Sequence, residues 1–292
     1  MKTDRQRQSG FTLIEAVIVI VITGILAGVV AVFIGNPVRG YGEAVHRAEL
    51  TDAADVALRR ISRDIRLALP NSLRVTSDAT NFYIEFIMTS AGSRYRDAAD
   101  GGNFLGFTNG SSNTFDVLGA MPTIAVGDYI VVYNLGSGYE PANAYRRDQT
   151  ECDATPVSPG CNIAKVTAVV GNTVTLDANP FAVQSPPLPS PNNRFQVVPG
   201  GIRTVSYVCP KSISGNVTRV WNYGFQPTQP TGLNSAPLSG GSTGILAGNA
   251  TCTVDYTSAA TGRNGLLFIQ LTLSSSGESA TLFQQVHVDN SP

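Results

Sequence analysis

Charge is what this 292-residue chain has little of: 14% of its residues are Asp, Glu, Lys or Arg, and 20 basic against 21 acidic side chains leave a formal net charge of -1. With no basic excess to meet a phosphate backbone, nucleic acid is excluded as a partner. The charge content is also low for a soluble cytosolic domain. Metal-ligating residues are scarcer still. The only histidines, His46 and His287, lie far in sequence from the four cysteines, and no Cys-x-x-Cys pair occurs, which argues against zinc. Asp97, Asp100, Asp148, Glu151 and Asp153 fit no calcium-loop spacing and read as solvated loop carboxylates. Nothing in the chain calls for a cofactor.

An enzyme-like pattern does occur. Gly240-Gly241-Ser242-Thr243-Gly244 spells Gly-x-Ser-x-Gly, with Asp255 and His287 following in nucleophile, acid, base order. A nucleophile elbow needs a strand before the serine and a helix after it. Here Asn234-Ser235-Ala236-Pro237-Leu238-Ser239 precedes it and glycine-rich chain follows, so a non-enzymatic chain is the reading.

What the sequence has in abundance is one long apolar run, Phe11 to Ile34, interrupted only by Thr12, Glu15, Thr23 and a few glycines. At about 1.5 Å per residue it spans a hydrocarbon layer of roughly 30 Å as a helix. Lys2, Arg5 and Arg7 precede it against Asp4, a positive-inside bias that predicts a cytoplasmic N-terminus with the bulk of the chain across the membrane. A cleaved secretory signal is the competitor, but the run is longer than a signal core, and Ile34-Gly35-Asn36-Pro37 supplies no clear small-residue site after it. Glu15 is costly in such a run, roughly 2.5 to 3.5 kcal/mol, and calls for a positively charged partner unless it snorkels to the interface.

A second helical pattern follows. Leu50, Ala54, Ala57, Leu58, Ile61, Ile65, Ala68 and Leu69 form an apolar stripe, with Asp52, Asp55, Arg59, Arg60, Arg63, Asp64 and Arg66 on the other side. Asp55 with Arg59, and Arg60 with Asp64, are spaced for i,i+4 support. Pro37 predicts a kink or break before this helix, and Pro70 ends it. Beyond Pro70 the chain reads as short strands, including a hairpin at Gly171-Asn172 and another around Ser274 to Ser279, with Pro186 to Pro191 and Leu238 to Gly248 as surface loops. The expected fold class is α+β: a long N-terminal membrane-spanning and amphipathic helix packed on an antiparallel β-rich domain. The expected boundaries are a leader at 1-10, a membrane helix at 11-36, an amphipathic helix at 37-69 and a β-rich domain at 70-292. Cys152 with Cys161, and Cys209 with Cys252, are the favoured disulfides, suited to an oxidising compartment, although four cysteines allow three pairings.

Gly10-Phe11-Thr12-Leu13-Ile14-Glu15, after a basic start and before the apolar run, resembles the processing site of type IV prepilins and type II secretion pseudopilins. The resemblance implies cleavage between Gly10 and Phe11, N-methylation of Phe11, and a salt bridge in which Glu15 meets the new amine of a neighbouring subunit. It implies as partners other pilins or pseudopilins, the prepilin peptidase and methyltransferase, an inner-membrane assembly platform and membrane lipid. Arg39-Gly40-Tyr41, Arg47-Ala48-Glu49-Leu50, the stretch from Ala57 to Val75, Val126 to Asn134, Arg194 to Val198 and Val205 to Cys209 are similar to the MshO family of minor pilins in MSHA (mannose-sensitive haemagglutinin) pilus biogenesis, related to J-type pseudopilins. That implies a subunit that primes or caps a filament. A tip adhesin is the other expectation, with Tyr139, Tyr145, Trp221, Tyr223 and Phe225 as candidate exposed aromatics.

Overall fold

The computed structural model describes residues 10-108, 110-148, 152, 161-212, 215-258 and 264-292, without the side chains of residues 34-39. The chain divides into two compact units, Met1–Glu49 and Leu50–Pro292. In the first unit the described residues are almost entirely helical, belonging to α1, Leu13–Ile65, whose last turns from Leu50 onward belong to the second. The helix continues through Pro37, so the break expected there does not occur. A proline costs a helix interior about 3 kcal/mol and one hydrogen bond, and here helical turns on both sides of it persist.

The second unit contains β1 (Arg74–Ser77), β2 (Asn81–Ile87), β3 (Ala91–Tyr95), β4 (Thr114–Leu118), β5 (Tyr129–Val131), β6 (Ile163–Val170), β7 (Thr173–Leu176), β8 (Arg194–Val198), β9 (Thr204–Pro210), β10 (Gly215–Trp221), β11 (Ser242–Ser258), β12 (Asn264–Ser275) and β13 (Glu278–Asp289). Seven of these form an antiparallel sheet in the order β1-β2-β9-β10-β11-β12-β13. The other six close a barrel in the order β3-β4-β7-β6-β5-β8, also antiparallel. The barrel is an insertion: β2 and β9 are hydrogen-bonded neighbours from Asn81↔Pro210 to Ile87↔Thr204, and residues 88-203 leave and return between them. The expected α+β class is thus the observed one, but the barrel was not foreseen.

Packing follows the sequence periodicities. Ala54, Ala57, Leu58, Ile61 and Ile65 of α1 are buried with Phe86, Val205, Tyr207, Val217, Leu267, Ile269 and Leu271 of the sheet. On the other face, Tyr83, Val208, Val220 and Tyr223 pack under Leu238, so β2 and β9 are covered on both sides and are buried almost throughout. The barrel has its own core of Tyr95, Phe115, Ile130, Val166, Val174, Phe181 and Phe195. A third cluster joins barrel to sheet, where Phe225 meets Tyr129 edge-on with ring centroids 5.1 Å apart.

Turn chemistry sets the hairpins. Gly171 (φ 61°) opens the β6-β7 turn, and Ser276 (φ 53°) with Gly277 (φ 84°) forms the two-residue β12-β13 turn, narrower than the loop expected there. Two further differences have local causes. β3 reads Ala-Gly-Ser-Arg-Tyr, weak in β-formers, and is held by pairing with β4 and β8 rather than by propensity. The segment Leu238 to Gly248, expected as loop, is from Ser242 onward the first half of β11, paired with β10 through bulges near Val217.

In the β1-β2 turn, Asp78 accepts hydrogen bonds from the backbone amides of Thr80 and Asn81 (2.7 Å each) and from the Tyr83 hydroxyl (2.6 Å). Burial pushes its carboxyl up, but these donors outweigh it and bring it down from 3.8 to about 2. A carboxylate depressed on folding contributes stability that is complete above its unfolded value and lost as pH falls through its folded one. The acid limb of a stability profile should therefore fall between about pH 4 and 2, and Asp78→Asn should flatten that limb when urea midpoints are measured against pH. Separately, Ile61→Ala should lower unfolding free energy by about 2–5 kcal/mol with an unchanged urea dependence. Trp221, the single tryptophan, lies beside Ala57 and reports that transition by fluorescence.

Candidate processing and assembly site

Helix α1 begins where Thr12 can cap it. The Glu15 amide donates to Thr12 Oγ1 (3.4 Å), while the Thr12 amide and hydroxyl both donate to Glu15 Oε2 (3.0 and 2.9 Å). This is a reciprocal capping box, and its Thr-x-x-Glu signal before an apolar run was legible in the sequence but went unread. It places the Glu15 carboxylate at the positive end of the helix dipole, where two donors and the dipole offset part of its cost in an apolar span. Oε1 accepts no hydrogen bond among the described residues, so the group keeps one oxygen for a donor from outside.

Beside it, Phe11 is 81% exposed. No atom lies within 4 Å of where a side chain on Gly10 would begin, so packing supplies no reason for a glycine there. From Leu13 to Phe33 the helix has a mean hydropathy of 3.0, with none of that face covered by protein. Its 21 residues rise about 31 Å, the thickness of a bilayer core.

Residues 5–31 match the prokaryotic N-terminal methylation motif. The match supports a type IV pilin-like protein, suggests a structural rather than enzymatic subunit, and implies contact with other pilins and with prepilin peptidase. With the one helix among the described residues that is long and apolar enough to cross a membrane, it fits anchoring in an inner membrane. No curated protein and no solved structure matches the chain.

In the second unit one buried charge is on α1 itself. Asp64, expected on the solvent side with Arg60, is buried instead, and its Oδ2 accepts from Arg219 Nε (2.9 Å) and the Tyr207 hydroxyl (2.7 Å). Arg219 also lies 4.8 Å from the Trp221 ring. Burial, with the Asp64 charge adding to it, pushes the Tyr207 hydroxyl well above its ordinary value, so it stays a donor. Helical spacing could not reveal this because the partners are on β9 and β10, far along the chain. Asp55 and Arg59 do pair, at 2.7 Å. A second buried set ties β1 to β2: Arg74 Nε meets Glu85 at 2.5 Å, and Tyr223 donates to Glu85 at 2.6 Å. Burial pushes Glu85 up against the lowering pull of both partners.

The remaining sequence candidates are dispersed. Disulfides join Cys152 to Cys161 (Cα–Cα 5.1 Å) and Cys209 to Cys252 (5.7 Å), the latter linking β9 to β11, which are not neighbours in the sheet. Ser242 opens β11, Asp255 lies near its far end, and His287 is on β13, so the Gly-x-Ser-x-Gly pattern brings no triad together. Asp97 and Asp100 cap a short turn, and Asp148 accepts from the Phe225 amide at 2.9 Å. Glu151 and Asp153 lie outside the described residues, and among the described residues no group of three or more His, Cys, Asp or Glu could hold a metal. Of the five aromatics, Tyr145, Tyr223 and Phe225 are buried and Trp221 is half-buried, leaving Tyr139 exposed.

Removing one member of a buried ion pair strands the other, at about 3–5 kcal/mol. Asp64→Ala should destabilise the chain by that order, whereas Asp64→Leu combined with Arg219→Met should recover most of the loss. Urea unfolding of the single and double variants measures the difference.

Proposed function

We propose that this chain is a minor pilin of an MSHA-type IV pilus, a structural subunit that is inserted in the inner membrane, processed by prepilin peptidase and helps to initiate or cap the filament. Cleavage falls between Gly10 and Phe11, releasing residues 1-10. The new amine of Phe11, methylated, carries a positive charge to the Glu15 carboxylate of an adjoining subunit. The N-terminus faces the cytoplasm and the β-rich unit the periplasm, an orientation favoured by Lys2, Arg5 and Arg7. The observation that carries this reading is Glu15: a carboxylate at the head of an apolar helix, with one oxygen engaged by its own Thr12 and the other open. The minor-pilin assignment rests further on the likeness of Ala57 to Val75 and of the strand segments to the MshO family. A type II secretion pseudopilin has the same N-terminal chemistry, and the genes beside this one separate the two. The burial of three of the five candidate aromatics weakens the adhesin reading.

Mass spectrometry of the chain from its native membrane should find a mature N-terminus at Phe11 with a methylated amine. A start beyond Ile34 would falsify the proposal. Glu15→Gln should leave cleavage intact and reduce incorporation into filaments, measured by quantifying the subunit in sheared pili against the membrane pool.

A further inference from the structure

We propose that β13 and the groove beside it form a strand-addition site for an extended segment of a partner protein, whose alternate side chains are acidic on the side facing α1. Closing the barrel removes the edges of six strands, and of the sheet's two terminal strands β1 is short and occupied. Its Arg74 carbonyl accepts from Gln229 Nε2 (3.3 Å), and the Arg74 guanidinium donates to the carbonyls of Gln226 (2.6 Å) and Pro227 (2.8 Å). The other terminal strand, β13, pairs with β12 over its whole length from Glu278 to Asp289 and, among the described residues, has no strand on its outer side. It contains no proline or lysine, residues that usually blunt an edge, and its two acidic residues, Glu278 and Asp289, stand at its ends. Apart from the Gln285 carbonyl, which accepts from Gln284 Nε2 at 3.3 Å, the unpaired backbone donors and acceptors along such a strand are the template for strand addition.

The chemistry of the incoming strand is set by what flanks the edge. On the helix side, Arg59, Ser62, Arg63, Arg66, Leu67 and Gln284 line an open cleft of about 500 Å³. Arg59 is neutralised by Asp55, but Arg63 and Arg66 have no acidic partner among the described residues. On the opposite face Phe283 is 71% exposed and stacks on Phe268, ring centroids 6.3 Å apart. Because side chains alternate across a strand, an added strand places one set toward the arginines and the other beside the phenylalanines. Acidic residues suit the first position and apolar ones the second. A second copy joined edge to edge in one continuous sheet about a twofold axis normal to it sets two Arg63 and Arg66 rows on the same face, which charge opposes. The surface does not depend on leader cleavage, so its failure and that of the proposed function are separable.

The test uses the full chain in detergent micelles and a labelled ten-residue peptide alternating Glu and Val. Saturable binding is expected, weakened at least tenfold by Arg63→Glu with Arg66→Glu, and lost when alternate peptide amides are N-methylated. Both arginines are exposed but lie at the C-terminal end of α1, so a melting temperature lowered by only about 2–4 °C should accompany the loss. The site is overturned if the peptide fails to bind at about millimolar concentration, if a Lys-Val peptide or the N-methylated form binds equally well, or if the chain dimerises through this edge and Phe283→Lys abolishes the dimer.

Discussion

The seven-stranded sheet, on which the barrel is inserted, depends on the burial of one stripe of α1 against it. Ala54, Ala57, Leu58, Ile61 and Ile65 are each almost wholly removed from solvent, and their sheet partners come from β2, β9, β10, β11, β12 and β13. The three large side chains contribute about 1.5–3 kcal/mol each. The two alanines contribute less but let the backbone approach. Apolar contact alone tolerates sliding and rotation of a helix. Asp64 does not: with its carboxylate held by both Arg219 and Tyr207, a shift of one residue would leave a buried charge unpaired. The stripe supplies the attraction and the ion pair fixes the register.

Within α1 the same backbone serves two solvents. From Leu13 to Phe33 no side chain is covered by protein and nearly all are apolar, a pattern stable only if lipid or other helices replace water. From Leu50 onward the apolar residues narrow to one face, as expected for a helix with protein on one side and water on the other. Glu15 is the single acidic residue of the apolar part, and the capping box explains how it is tolerated without explaining why a carboxylate is there. Thr12 would cap the helix with almost any residue at position 15. The charge therefore points to a partner outside the chain.

How much of this was legible in the sequence follows from the range of the interactions. The long apolar helix, the amphipathic stripe, most strands and both hairpins are written in local periodicity and turn residues, and they lie close to where those patterns put them. β3 and the first half of β11 are not legible locally because Ala-Gly-Ser and Gly-Ser-Thr-Gly stretches carry no strand signal, and pairing with neighbouring strands imposes their conformation. The barrel was invisible for a related reason. Its closure depends on β3 meeting β8, about a hundred residues apart, and nothing local announces that contact. Asp64 looked like a surface residue because its neighbours on the helix are charged. At the N-terminus, Gly10, Phe11 and Glu15 were expected to act together because one short motif holds them, within the residues 5–31 that match the methylation motif.

The placement of the barrel bears on how this unit would tolerate change. Its strands enter and leave through the adjacent ends of β2 and β9, at Ile87 and Thr204, so the insertion meets the sheet at a pair that is already hydrogen-bonded. Varying the barrel need not disturb the register beneath α1. Its attachment is nonetheless firm, because Tyr129 packs on Phe225 and the Arg74 guanidinium lies 3.7 Å from the Tyr145 ring, whose hydroxyl donates to the Ser72 carbonyl at 2.7 Å. Large aromatics that looked like candidates for binding a ligand at the surface are instead the joint between barrel and sheet. A closed barrel offers no strand edge of its own. Any partner that adds a strand must therefore use the sheet, and a partner that reads the barrel must do so through its loops.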